Sequence, residues 1–369
     1  MKLVMESKNL LEGLNIVTRA LASKPTQPIL DGVCLVTENN RVALTCSDGS
    51  FTIRWHGDCQ TEDDGTAILP GKLFAELVRK LPNGTVRMET DGNSVSIRCQ
   101  KSRSKLSVIA GKDYPDVAEV EGYEVSVPQA KLKDMINHVS FAIATDESRL
   151  ILTGGLVEIT SDEIRLVALD GFRLAMQKTA GEYAMPDGKD KVSAVIPGRI
   201  LTEMSKAMNS TDEDCLLTLG KGRMMCRFGA IEMVGSLLAG EYIDYRRILP
   251  ETFKTEVIAD VTALSDAIER ASLMAREGKS NLVKLSFTED CVKISSNAEM
   301  GNVEEEMEVS THGDGLDIAF NSNYIRDMLR NIDGEQVIFK FNSPTAPCIA
   351  VPNDNTNCAQ LLLPVRTFA

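Results

Sequence analysis

One order of elements is written three times along this chain, at a spacing of about 120 to 130 residues. In the first passage Leu10, Leu11, Leu14, Val17 and Leu21 fall at helical spacing, which predicts an amphipathic helix. Strands over 29–37 and 41–46, the dipeptide Asp48-Gly49 and a strand over 51–55 follow. Ile68-Leu69-Pro70-Gly71-Lys72 then opens a second helix that runs through Leu81. The middle passage has a helix over 128–141, strands over 150–160 and 163–169, Asp170-Gly171 and a strand over 173–177. Val195-Ile196-Pro197-Gly198-Arg199 opens its second helix, through Met208. The last passage keeps the order with fewer identities: a helix over 261–275, strands over 282–288 and 291–296, a turn at Asn297, a strand over 303–309, and 317–321 opening a helix through Leu329. Asp-Gly between two strands is a hairpin signal, and Pro beside a helix start suits the first turn.

The repetition makes three domains the expectation, 1–120, 121–250 and 251–369. Ala110-Gly111-Lys112-Asp113-Tyr114-Pro115-Asp116 and Ala239-Gly240-Glu241-Tyr242-Ile243-Asp244 close the first two in similar words, placing linkers at 118–124 and 248–254. A length of 369 residues suits two or three domains. Strands dominate, and each helix has one apolar stripe to lay on a sheet. The fold class is therefore α+β.

No apolar run approaches the roughly 20 residues that span a bilayer, so no membrane partner is expected. Glu6 arrives before a signal-peptide core could form, which predicts a cytoplasmic protein. Nine cysteines (34, 46, 59, 99, 215, 226, 291, 348 and 358) are scattered without a C-x-x-C pair, as suits core residues in a reducing compartment. His56, His138 and His312 lie far apart in sequence, so no metal site is expected. P-loop, G-x-S-x-G, H-E-x-x-H and Rossmann signatures are all absent, so neither catalytic residues nor a cofactor are expected.

A net charge of −13 weighs against a nucleic-acid partner, since non-specific DNA binding depends on cations that neutralise phosphates. Net charge does not report where the cations sit. Lys8, Arg19 and Lys24 lie near the first predicted helix; Lys72, Arg79, Lys80, Lys131, Lys133, Arg199, Lys206, Arg270, Arg276, Arg326 and Arg330 lie on the others. Glu12, Glu76, Asp134, Glu203, Asp266, Glu269 and Asp327 share those helices. Two readings stay open: solvated helix faces, or a surface that follows duplex DNA through many weak phosphate contacts and so slides. The second makes Lys24, Lys72, Arg79, Lys80, Lys131, Arg199 and Lys206 the DNA-facing residues. A repeat scaffold that binds proteins and not DNA is a further alternative.

Four passages in order carry a family resemblance: Lys24-Pro25-Thr26-Gln27-Pro28-Ile29-Leu30, Ala168-Leu169-Asp170-Gly171-Phe172-Arg173-Leu174-Ala175, Asp244-Tyr245-Arg246-Arg247-Ile248-Leu249-Pro250, and Leu361-Leu362-Leu363-Pro364-Val365-Arg366. Over essentially its whole length the chain resembles the β sliding clamp of bacterial DNA polymerase III. The resemblance implies three similar domains per chain, two chains joined head to tail into a ring, helices lining a central hole and sheets outside. It also implies a non-catalytic processivity factor whose partners are double-stranded DNA, a second copy of itself, a clamp loader ATPase, the DNA polymerase III alpha subunit and other proteins with a clamp-binding motif. Such a protein works in the cytoplasm, at the nucleoid during replication.

Site residues follow from the same resemblance. Lys101, Arg103 and Lys105 alternate on one strand, while Glu304, Glu305, Glu306 and Glu308 crowd another, so a basic edge can meet an acidic edge at the dimer interface. Leu106 and Val108 would there lie near the partner's Leu273 and Met274. A pocket for a hydrophobic partner peptide maps to Leu152, Leu169, Gly171, Phe172, Arg173, Leu174, Ile243, Arg247, Ile248, Asn321, Tyr324, Leu363, Pro364, Val365 and Arg366, with Ala346 and Pro347 adjoining. Aliphatic walls would bury Leu, Phe or Met side chains, and Arg173 and Arg366 would hold backbone carbonyls or a carboxylate. Phe172, Ile243 and the extension Thr367-Phe368-Ala369 depart from better-known members, which often carry histidine and proline at the first two positions.

Overall fold

In the computed structural model every α-helix among the described residues begins where a strand ends. Lys2–Glu6 runs into Ser7–Val17, Gly65–Pro70 into Gly71–Arg79, Gly122–Pro128 into Gln129–Ser140, Val192–Pro197 into Gly198–Ala207, Thr255–Asp260 into Val261–Glu277 and Leu316–Asn321 into Ser322–Arg330. The structure describes residues 1–22, 24–111, 114–115, 117–277 and 281–366. Lys112, Asp113 and Asp116 of the first closing motif, and Thr367-Phe368-Ala369, lie outside them. No described helix is long and apolar enough to cross a membrane.

Pro70-Gly71 and Pro197-Gly198 recur because the second helix of a repeat starts under its neighbours. A Cβ on Gly71 would meet Leu21 Cδ1 at 2.6 Å and Asp31 O at 3.1 Å; on Gly198 it would meet Ile143 Cγ2 at 2.9 Å and Thr153 O at 3.0 Å. The third repeat admits Ser322 at this place, fully buried, and its helix is capped by Asn321, whose side chain accepts from the Asn323 N–H.

The chain divides into two compact units, Met1–Leu132 with Glu203–Leu237, and Lys133–Thr202 with Leu238–Ala369. In the first, a five-stranded sheet runs Gln60–Asp63, Lys2–Glu6, Thr85–Thr90, Ser94–Cys99, Ser102–Ser107. Its eight-stranded sheet runs Gly122–Pro128, Asp214–Gly220, Arg223–Phe228, Ile231–Ser236, Phe51–Asp58, Arg41–Ser47, Gly32–Glu38, Gly65–Pro70. In the second unit a nine-stranded sheet runs Val192–Pro197, Gly154–Ile159, Glu163–Leu169, Arg173–Ala180, Cys358–Leu362, Cys348–Pro352, Gln336–Phe341, Thr255–Asp260, Ser310–His312. A four-stranded sheet of Gly301–Glu308, Cys291–Ala298, Leu282–Phe287 and Leu316–Asn321 completes it.

The two large sheets each join strands from successive repeats. Phe51–Asp58 of the first repeat pairs antiparallel with Ile231–Ser236 of the second, and Arg173–Ala180 of the second pairs antiparallel with Cys358–Leu362 of the third. The registers coincide: Ile231 and Cys358, each the first residue of its strand, face Trp55 and Gln177, each the fifth of its strand. Matching hydrogen bonds close both junctions, from the Ser236 N–H to Ser50 O (3.0 Å) and the Leu363 N–H to Phe172 O (2.9 Å) at one end. At the other end the His56 N–H donates to Ala230 O and the Lys178 N–H to Asn357 O, both at 2.9 Å.

Tyr114 and Tyr242, from the two closing motifs, make one contact twice. The Tyr114 hydroxyl accepts from the Ser47 N–H (3.1 Å) and donates to Gly32 O (2.9 Å); the Tyr242 hydroxyl accepts from the Leu169 N–H (3.2 Å) and donates to Gly154 O (3.4 Å). Burial, ahead of any neighbouring charge, pushes both phenols well above their ordinary range, so both remain donors. Tyr114→Phe leaves two backbone groups without their partner and is expected to cost about 1–3 kcal/mol. Urea unfolding measures this, and a loss below about 0.5 kcal/mol would remove the tyrosine's stabilising role.

Several predicted elements shift. Pro28–Asp31 and Glu147–Thr153 are 3₁₀ turns, so the strands predicted from residues 29 and 150 begin at Gly32 and Gly154. Ile29, Leu30 and Leu152 are apolar because they plug the core, not because they alternate on a sheet. Asn297 is not a turn; it pairs with Asn302, and the hairpin bends beyond it. Residues 122–124, predicted as linker, belong to the strand Gly122–Pro128. Residues 317–321 lead into their helix as part of the strand Leu316–Asn321. All the cysteines keep their thiols and are buried apart from half-buried Cys291.

Candidate peptide-binding cleft

The site grows from the junction of the second and third repeats. Asp170 Oδ1 accepts from the Phe172 and Arg173 N–H groups, at 2.9 and 3.0 Å, across a turn in which Gly171 has φ +92°. That left-handed conformation favours glycine although a Cβ there would meet nothing within 4 Å. The turn holds Phe172 at the rim, 56 % exposed, with its ring stacked on Tyr324 at 5.6 Å. Behind it, Leu169 and Leu174 join Leu152, Leu361 and Tyr245 in one buried cluster, against which Ile243 packs.

Between rim and cluster lies an apolar cleft, open to solvent, lined by Leu169, Gly171, Phe172, Arg173, Leu174, Ile248, Leu361 and Leu363. The terminal segment is fixed beside it by the Leu363 N–H bond to Phe172 O and a bond from the Val365 N–H to Ala319 O (2.8 Å). Leu361 is the lining residue that sequence reasoning missed. Its neighbours Leu362 and Leu363 look alike in sequence, and only strand register tells which leucine faces where.

The remaining predicted pocket residues surround the cleft in different ways. Leu152 is core, Asn321 caps a helix, Arg247 is exposed and paired with Asp244 at 2.9 Å, and Pro364, Val365 and Arg366 continue outward on the surface. Arg173 is held from two sides. Its guanidinium bonds Asp170 Oδ2 at 2.9 Å and Asp327 Oδ2 at 2.6 Å and lies 4.7 Å from the Tyr324 ring centre. With its charge shared between two carboxylates, Arg173 supports the cleft wall.

Ile248 reaches the cleft because the preceding Tyr245–Arg247 turn is anchored on Glu158, which is 4 % exposed in the strand Gly154–Ile159. Glu158 accepts from Tyr245 Oη (2.6 Å), Arg246 Nη2 (2.6 Å) and Lys191 Nζ (2.7 Å). Arg165 Nη1 donates to the same tyrosine oxygen at 3.0 Å, and its Nη2 bonds Glu163. Burial would raise the Glu158 carboxyl, but the bonds from Arg246, Lys191 and Tyr245 outweigh it and hold the group at about 2. Burial first, then Glu158 itself, pushes the Tyr245 phenol up to about 12.

Why the cleft sits at this junction is visible in the other. Where the second junction has Leu169, Leu174, Leu361 and Leu363, matching register gives the first Ser47, Thr52, Val234 and Ser236. Val117, Val120, Met225 and Val234 form a small apolar cluster there.

Comparison with known proteins decides the family. Models of the DNA polymerase III beta subunit match in order: its N-terminal domain at residues 1–118, its central domain at 126–244 and its C-terminal domain at 246–366. The chain belongs to the DNA polymerase III beta subunit, or sliding clamp, family. Proteins named beta sliding clamp from Staphylococcus epidermidis and Bacillus subtilis are 32% and 33% identical to it, with all of both chains covered. The crystal structure of the Bacillus subtilis DNA polymerase sliding clamp aligns with a TM-score of 0.94 at 31% identity, and a sliding clamp from Pseudomonas aeruginosa bound to griselimycin with 0.94 at 26%, each over the full length of both chains. Members of the clamp family are non-catalytic processivity factors.

Other residues expected of a clamp are placed as follows. Lys24, Lys72, Arg79, Lys80, Lys131, Arg199 and Lys206 are all exposed; Lys206 Nζ bonds Glu203 at 2.8 Å and Arg79 Nη2 bonds Asn15 at 3.1 Å. Ser102–Ser107 is the end strand of its sheet, with Lys101, Arg103 and Lys105 exposed and Leu106 and Val108 half-buried in alternation. Gly301–Glu308 ends another sheet, with Glu304, Glu306 and Glu308 exposed. Glu305 turns to the opposite face and bonds Arg270 at 2.8 and 2.9 Å, so it does not belong to the acidic edge. Leu273 is 56 % exposed on Val261–Glu277 and Met274 half-buried beside it.

Asp134 and His138, one turn apart on Gln129–Ser140, come together with the distant Asp333. The two carboxylates sit at opposite ring nitrogens, Asp134 at 3.3 Å from Nδ1 and Asp333 at 2.8 Å from Nε2. That is the arrangement of an imidazolium between two anions, not of ligands converging on one ion. The Asp134 hydrogen bond outweighs burial and raises His138 to about 9.

Proposed function

We propose that this protein is a DNA sliding clamp that closes head to tail with a second copy of itself into a ring around duplex DNA, and that it tethers replicative polymerase and other DNA-processing proteins through the apolar cleft. The observation that carries the reading is the pair of left-over sheet edges. Each internal junction uses one strand from each of two successive repeats. The strand equivalent to Phe51–Asp58 and Arg173–Ala180 in the third repeat is Gly301–Glu308, an end strand of the same length. Equivalent to Ile231–Ser236 and Cys358–Leu362, the first repeat has Ser102–Ser107, also an end strand. Joining them between two copies makes every junction alike, so the contact is heterologous and its two equal halves close. A bare edge in each chain would otherwise invite aggregation.

Division at residues 120 and 250 belongs to this reading and is supported by the junctions. In the ring the exposed Lys24, Lys72, Arg79, Lys80, Lys131, Arg199 and Lys206 would face DNA, with retention supplied by topology. Such a protein acts in the cytoplasm, at the nucleoid, and a separate clamp loader ATPase opens the ring onto circular DNA. The polymerase alpha subunit and other proteins with a clamp-binding motif are the partners the cleft suits.

The test is retention on nicked circular DNA. After loading by a compatible loader and a 1 M salt wash, at which the Debye length is about 3 Å, the protein is expected to stay on the circle and to leave when the circle is cut once. Loss in the wash, with a loader proven on a known clamp, would sink the ring.

A further inference from the structure

The junction that carries the cleft also carries a charged tie that the first junction lacks. His138 is the tenth residue of Gln129–Ser140, and Asp333 is the twelfth counted from the start of Ser322–Arg330; they meet at 2.8 Å. Counted in the same way from Ser7–Val17 and Gly198–Ala207, the first junction has Ile16 and Asn209, neither of which is charged. We infer that His138, held as an imidazolium, is a latch between the second and third repeats that keeps the peptide cleft in its binding form, so that loss of its proton weakens peptide binding. This inference rests on the cleft being the peptide site and adds to it a means of regulation.

Geometry alone requires the charge. Nδ1 lies 2.9 Å from the Asp134 carbonyl oxygen and 3.3 Å from Asp134 Oδ1, and Nε2 lies 2.8 Å from Asp333 Oδ2. Each of these oxygens accepts, so both ring nitrogens must donate, and a neutral imidazole has a single N–H. Removing the second proton would set a nitrogen lone pair against the Asp333 carboxylate and turn the contact from attraction to repulsion. The ring is 11 % exposed, so solvent and salt do little to screen it. Asp134 comes from its own helix and Asp333 from the third repeat. From the strand Cys358–Leu362 the Cys358 thiol adds no competing charge, since burial first, and then Asp333 and Asp134, push it up to about 11. His138 itself is held at about 9, its bond to Asp134 outweighing burial. Because that lies above the ordinary 6.5, the latch is at full strength below about pH 6.5 and is lost as pH rises through about 9.

The latch holds the end of the helix that shapes the cleft rim. Ser322–Arg330 supplies Tyr324, on which Phe172 stacks, and Asp327, which accepts from Arg173 at 2.6 Å. Past its last turn, Asn331 donates through Nδ2 to Asp327 O (2.8 Å) and its carbonyl accepts from Gln360 Nε2 (2.7 Å); two residues later Asp333 reaches His138. In the other direction His138 stands three residues before Phe141, whose ring centre lies 5.3 Å from the Arg173 guanidinium. Arg173 and His138 are thus two cations of the second repeat that grip one helix of the third, one at the rim and one beyond the helix end. Arginine keeps its charge throughout the working range of pH, so His138 is the one of the two that titrates.

The experiment uses the full chain and a fluorescent peptide with Leu and Phe anchors. Anisotropy titrations should show about 5-fold weaker binding at about pH 10 than at about pH 7. His138→Gln, which cannot carry the charge, should bind about 5-fold more weakly than the unaltered chain at the lower pH and change little at the higher. Lysines and tyrosines that titrate near the upper value do so in both proteins, so the difference between the two profiles belongs to His138. Asp333→Asn, at an exposed position, should reproduce the loss near neutrality and lower the His138 midpoint. NMR of histidine-labelled protein should find the His138 ring titrating at about 9, with its midpoint moved up by about 0.7 when peptide saturates the cleft, the logarithm of the 5-fold ratio. A His138 midpoint below about 7, or equal pH profiles in the unaltered chain and His138→Gln, overturns the latch. Unchanged peptide affinity in Ile248→Asp/Leu363→Asp overturns the cleft reading and the coupling with it, and is told apart because the His138 midpoint without peptide then stays at about 9.

Discussion

Replacing Ile248 and Leu363 together with aspartate is expected to weaken binding of a fluorescent peptide with Leu and Phe anchors by about 100-fold, while leaving the dimer and its melting temperature nearly unchanged. Both side chains line the cleft at 36 % exposure, so they lie at its mouth and not in the buried cluster behind. An apolar anchor gains about 1.5–3 kcal/mol on full burial. Two carboxylates at the walls remove most of that gain and add the cost of desolvating charge, roughly 3 kcal/mol together, which is about a hundredfold. Anisotropy titration measures the affinity and light scattering the dimer. Unchanged affinity would place peptide binding elsewhere on the molecule.

That experiment probes a cleft whose lining residues, Leu361 apart, all belong to the pocket that the resemblance implies. Asp170-Gly171 announced the turn, and the alternation of 163–169 announced the strand that leads into it, because both are local. Helices were equally plain: Leu10, Leu14 and Val17 fall on one face and all are fully buried. What escaped was whatever depends on long-range register. Leu361 lines the cleft and Leu362 sits in another cluster, yet nothing around them in sequence assigns one to each side. The bond from Arg173 to Asp327 is hidden in the same way, because Asp327 is supplied from a helix far along the chain. His138 meets Asp333 only through the fold.

Repetition narrows that gap. The likeness of the two closing motifs put Tyr114 and Tyr242 at equivalent places, and the structure gives them equivalent bonds. Because junctions repeat in register as well as in order, each tells what the others would look like, and their differences locate function. Leucines gather at one junction, serine, threonine and valine fill another, and charged edges remain at the ends of two sheets. On the proposed function, a single framework would thereby be divided between binding a partner, joining domains and joining chains.

Glu158 carries the second large effect, and it was invisible in sequence except as the one acid in the apolar strand Gly154–Ile159. Glu158→Ala leaves Arg246, Lys191 and Tyr245 without their shared acceptor and is expected to cost about 2–3 kcal/mol, since the buried Tyr245 hydroxyl loses its acceptor while the two half-exposed cations turn to water. For a unit of this size that lowers the melting temperature on the order of 10 °C. The sign with pH follows from the carboxyl held at about 2, below the ordinary range near 4.5. Unfolded chain takes up the proton first as pH falls, so the stabilisation is complete above about pH 4.5 and is lost progressively toward pH 2, on the order of 3 kcal/mol in all. Calorimetry of both proteins at pH 7 and pH 3 should therefore find a wide gap that narrows in acid; a gap equal at both pH values would assign the loss to packing alone. Because Tyr245 and Arg246 fix the turn that presents Ile248, the same substitution should weaken peptide binding at pH 7 without touching the cleft walls. Lys191→Ala, which removes a half-exposed partner, should cost about 1 kcal/mol or less and leave peptide affinity intact, separating the anchor of the turn from the general charge of the surface.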